Sequence, residues 1–87
     1  MPDTDRLVGS TSFAHAVRAV ALAAGVPAEH PILTSPTFGR RVVALLVNGQ
    51  IASERIRNRM YADPAHAHRA AVLLGLLEQA EPASLAA

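Results

Sequence analysis

Eighty-seven residues allow one domain and no more, and a domain that small has a thin margin of stability of its own. The absence of cysteine excludes disulfide staples, thiolate chemistry and a Cys-based zinc site. The formal net charge is only +1, and every basic residue is arginine, a weak overall field for a protein that lives on nucleic acid.

The opening MPDTDRLVGS carries acidic residues where a secretory signal needs basic ones, and no apolar stretch follows it. No apolar run is long enough to span a bilayer, so a cytoplasmic protein is expected. Residues 1–11 read as a flexible arm. Ser12 is placed to cap a first helix over Phe13 to Ala24, with Gly25 as the residue that ends it. Phe13, Val17 and Val20 recur at helical spacing.

Residues 25–35 hold two prolines and read as an irregular connection, with Ile32 and Leu33 pinning it to the core. Ser35-Pro36 is a cap followed by a first-turn proline, which predicts a second helix to about Val47. Its stripe is Phe38, Val42, Leu45 and Leu46. Val43 and Val47 widen the apolar face beyond what one neighbour needs. Asn48-Gly49 closes it. A third helix is predicted from Ile51, because Ala52, Ile56 and Met60 recur at steps of four with Arg55 and Arg59 in a row beside them. Asp63-Pro64 repeats the cap-and-proline signal and opens a fourth helix. Its segment AAVLLGLLEQA is apolar almost all round, which implies burial on more than one side. Residues 82–87 read as a frayed tail. The expectation is an all-α fold of four short helices, with a single helical domain over 12–81. It is rich in alanine and poor in aromatics: Phe13, Phe38 and Tyr61 only.

No catalytic residues stand out. His66 and His68 are two apart and would lie on different faces of a helix, His15 and His30 belong to separate elements, and Asp63 is already used as a cap, so no metal site is expected. There is no nucleophile elbow and no glycine-rich phosphate loop. The strongest polar signal is the arginine group: Arg40, Arg41, Arg55, Arg57 and Arg59. A solvated face with local pairing explains it at little energetic consequence. The sharper reading is a docking surface, since arginine suits bidentate contact with carboxylates or phosphates. Helix 36–47, the turn NGQ and helix 51–61 also fit a helix-turn-helix DNA reader, a reading that the low net charge and the missing lysine disfavour.

The segment ERIRNRMYADP resembles a motif in the small subunit of bacterial cyclic-dipeptide oxidases, flavoenzymes of the albonoursin type. The matching positions are Glu54, Arg55, Ile56, Met60, Tyr61 and Ala62. Upstream, GRRVVALL (Gly39 to Leu46) is similar to a double-arginine helix of that family. The resemblance covers roughly residues 13–80 and departs from the family in a shorter stretch between the double arginine and Glu54. It implies a short helical chain that binds no cofactor alone. FMN and the chemistry would belong to a larger, nitroreductase-like partner subunit, which dehydrogenates Cα–Cβ bonds of diketopiperazines in secondary metabolism. The small chain would be needed for assembly of a hetero-oligomer or filament. Arg40, Arg41, Arg55, Arg59, Met60 and Tyr61 are the residues then expected at the partner interface.

Overall fold

The computed structural model describes residues 6–78, and the expected tail at 82–87 lies outside them. The chain forms, in order, strand β1 (Val8–Gly9), helix α1 (Ser10–Ala23), the short helix α2 (Pro31–Thr34), helix α3 (Phe38–Val47), strands β2 (Glu54–Ile56) and β3 (Arg59–Ala62), a 3₁₀ turn (Pro64–His66) and helix α4 (Ala67–Leu73). The three strands make one antiparallel sheet in the order β1-β3-β2. The fold therefore combines four helices with a small sheet and is not purely all-α.

Helix α1 is the centre. Phe13, Val17 and Ala21 recur every fourth residue and are fully buried, so one stripe of α1 faces the core. It meets Val42, Leu45 and Leu46 of α3 on one side and Ala67, Ala70 and Ala71 of α4 on the other. The α4 contact face is alanine, which lets that helix lie close to α1. Ile51 and Ala62 complete the core near the sheet, and Leu33 and Leu76 close it.

All three longer helices end the same way. Gly25, Gly49 and Gly75 have φ of 101°, 77° and 84°. The residue after each donates its amide to a carbonyl five residues back: Val26 to Ala21, Gln50 to Leu45 and Leu76 to Ala71. The glycine itself donates to the carbonyl three residues back. This is the Schellman arrangement, which satisfies carbonyls that a helix end leaves free. Gly25 and Asn48-Gly49 thus stop their helices as the sequence predicts. Gly75 ends α4 inside the apolar run that was expected to continue as helix.

Four further boundaries differ from the sequence expectation. First, α1 begins at Ser10 rather than after Ser12, with Gly9 as its cap and no side-chain capping bond. Val8 and Gly9, within the expected flexible arm, pair with Ala62 and Tyr61 instead. Second, the connection 25–35 contains α2. The Nδ1 of His30 accepts the Ile32 amide at 3.1 Å, a capping role the sequence did not suggest. Third, α3 begins at Phe38. The Ser35 hydroxyl accepts the Thr37 amide at 3.2 Å, so Ser35 and Pro36 form the turn before the helix rather than its first residues.

The fourth difference is the largest. The predicted third helix over 51–61 is a β-hairpin. Arg57 and Asn58 have φ of 51° and 68°, and Ile56 lies opposite Arg59. Two central residues at positive φ are the mark of the type I′ turn, whose twist matches that of paired strands. A helix cannot run through such residues. The steps of four that suggested a helix come from Ala52, Ile56 and Met60, of which none is buried. Met60 alone packs against the core from the partly buried side.

Candidate functional site

Helices α1 and α3 pack through their buried stripes, and their outer faces leave an open groove of about 660 Å³ between them. Ala14 from α1 and Phe38, Val43, Ala44 and Val47 from α3 make it largely apolar. Val47 is 58% exposed, high for a valine in the middle of a folded domain. The polar side chains at the groove are basic or neutral: His15, Arg18, Arg40 and Asn48, with Ser10 and Thr11 at one end. Among the described residues, no carboxylate lines it. Arg18 is held in place, because its Nη1 donates to the Leu33 carbonyl at 3.0 Å and ties α1 to the end of α2.

A second concavity adjoins the first and shares Ser10, Thr11 and Val43 with it. Its other wall is the hairpin: Asn58, Arg59, Met60 and Tyr61. One continuous surface thus runs from the C-terminal end of α3, past the start of α1, to the hairpin turn.

The residues expected at an interface are only partly brought together. Arg40 lines the apolar groove, and Arg59, Met60 and Tyr61 line the adjoining concavity. Arg41 is exposed on α3 but lines neither. The row of Arg55 and Arg59 one helical turn apart does not exist. Across the hairpin Arg55 pairs with Met60, and Glu54 with Tyr61. Directly opposed residues share a face and neighbours along a strand alternate, so Arg55 shares the face of Met60 while Arg59 shares that of Tyr61 and Ile56.

Residues 6–78 hold all eight arginines and only four carboxylates: Glu29, Glu54, Asp63 and Glu78. Asp63 accepts the Ala65 amide at 2.9 Å and caps the 3₁₀ turn, as its sequence context predicts. Within the segment from α3 to the end of the hairpin, residues 38–62, Glu54 is the one carboxylate beside five arginines.

Among the described residues, no group of three or more His, Asp or Glu side chains is close enough to hold a metal ion. The Nδ1 of His66 is buried without a hydrogen-bond partner, and His68 is exposed. No described helix is long and apolar enough to cross a membrane.

The α1 half of the groove, Ala14, His15 and Arg18, was missed from sequence. The available signal is that these residues fall off the stripe of Phe13, Val17 and Ala21 and so had to face something else. Comparisons with protein families, curated proteins and solved structures gave no significant match.

Proposed function

We propose that the chain is a non-catalytic accessory subunit that docks on a larger protein through the α1/α3 groove. The observation that carries the reading is the groove itself: an open apolar face on two otherwise well-packed helices, bordered by arginines. A small domain gains from covering such a face, because burial contributes about 25 cal/mol per Å² of apolar surface. The resemblance of Gly39–Leu46 and Glu54–Ala62 to the small subunit of cyclic-dipeptide oxidases names the partner: a flavin-bearing, nitroreductase-like subunit acting on diketopiperazines in the cytoplasm. In that assembly FMN supplies the redox chemistry from the partner, and this chain contributes burial and register. The test is co-expression with the product of the neighbouring gene. A yellow complex that removes one pair of hydrogens per Cα–Cβ bond from cyclic dipeptides supports the reading. Full activity of the larger subunit without this chain, or failure of the two to co-purify, overturns it.

One observation favours a second reading, nucleic-acid binding. The helix-turn-helix expected over 36–47 and 51–61 is not formed, because its second helix is a β-hairpin; what remains is helix α3 followed by a hairpin that carries three arginines. The hairpin tip places Arg57, a residue that favours neither positive φ nor a I′ turn, between Arg55 and Arg59. An unfavourable residue kept at a strained position points to function at that tip. Binding to duplex DNA that weakens steeply with salt supports this reading; a flat salt response discards it.

A further inference from the structure

We infer that the occupant of the α1/α3 groove is an amphipathic helix of the partner protein, with an apolar stripe flanked by carboxylates. The partner's identity rests on the accessory-subunit reading, whereas the chemistry of the occupant follows from this chain alone. Two roughly side-by-side helix faces make a trough, and its floor is apolar and partly small: Ala14 and Ala44 leave room for a third helix to approach, and Val43 and Val47 offer it contact. An amphipathic helix laid in such a trough is a recurrent mode of recognition. The rim sets the sign of the charge. Arg18 and Arg40, with His15, border the floor, and among the described residues no carboxylate does. Arginine pairs with carboxylate in a bidentate geometry, and complementary rims select partners more than they add affinity.

The other occupants fit less well. An extended strand needs a free sheet edge, and the trough is walled by helices. A small ligand needs a site that encloses most of its surface, and this groove is open to solvent. A nucleic-acid backbone wants cations rather than an exposed valine. A second copy in a two-fold contact would set this basic rim against itself.

The test uses the full chain, isotopically labelled, and two synthetic helical peptides. Both carry leucines at i, i+3, i+4 and i+7; one has glutamate on the flanks, the other lysine. The glutamate peptide is expected to bind, to shift the resonances of Ala14, Val43, Ala44 and Val47, and to lose about tenfold in affinity on Arg40→Glu. The same substitution should strengthen the lysine peptide. Binding of neither peptide, equal binding of both, shifts confined to the hairpin, or a duplex DNA that shifts the groove resonances more strongly than the glutamate peptide overturns the inference. The two levels separate cleanly. If the flavoprotein complex forms and Val47→Asp leaves it intact, the accessory reading stands and the groove occupant is wrong. If the glutamate peptide binds as described but no flavoprotein co-purifies, the groove assignment stands and the named partner is wrong.

Discussion

Arg55 lies directly opposite Met60 across the β-hairpin, which puts its side chain on the other face of the sheet from Arg59. The two arginines therefore cannot act as a pair. Arg59 flanks the concavity beside Ser10 and Thr11, and Arg55 does not. Arg59→Ala should weaken partner binding by up to about fivefold, the scale of an exposed ion pair, while Arg55→Ala should leave it unchanged. Isothermal titration of each variant against the partner checks this, and equal losses from both would contradict the assignment of faces.

The turn itself holds a second prediction. Arg57 has φ of 51°, a conformation that costs most residues roughly 1–2 kcal/mol and asparagine less. Arg57→Asn should raise stability by about 0.5–1 kcal/mol, read as a higher denaturant midpoint at unchanged slope. Arg57→Pro should melt the hairpin, because proline fixes φ near −65°. A stabilised Arg57→Asn protein that has lost binding would place Arg57 in the contact surface.

Glycine to alanine should have opposite signs at the two ends of α3, just past its last turn and within its first. Gly49 sits at φ 77° with nothing within 4 Å of an added Cβ, so the cost of Gly49→Ala is purely conformational, roughly 1–2 kcal/mol. Gly39 lies in the first turn of the same helix, also with open space around it. Gly39→Ala should stabilise by up to about 1 kcal/mol. Thermal melts of the two variants side by side decide the matter.

Much of this fold was legible because it rests on local chemistry. Gly25, Asn48-Gly49 and Asp63-Pro64 mark where helices end or begin, and Phe13, Val17, Val42, Leu45 and Leu46 mark what they bury. The excess of Val43 and Val47 on α3 also announced an unpartnered face. The hairpin was hidden because its signal is weak. Three- and four-residue strands leave little room for alternation, and Arg57-Asn58 is not the Asn-Gly pair that marks a I′ turn. Steps of four in Ala52, Ile56 and Met60 then mimicked a helix. The groove could be read only in part, since its α1 wall depends on how α1 and α3 dock, which is a tertiary fact.

The core leaves little reserve. Phe13 is fully buried and is the largest side chain in the core. Phe13→Ala should cost about 3–5 kcal/mol, a large fraction of what so small a domain has. Loss of a cooperative melt in that variant is the expected result, and a midpoint shifted by only a few degrees would show that the core is packed differently.

The most direct test of the docking account is the effect of Val47→Asp on assembly with the co-expressed flavoprotein, measured by light scattering on a sizing column. Val47 is exposed, so the isolated chain should keep its helical circular dichroism and its melting temperature. The account predicts that the complex nonetheless dissociates, because the substitution sets an unpaired carboxylate on an apolar contact. An unchanged complex containing the Val47→Asp chain would contradict it.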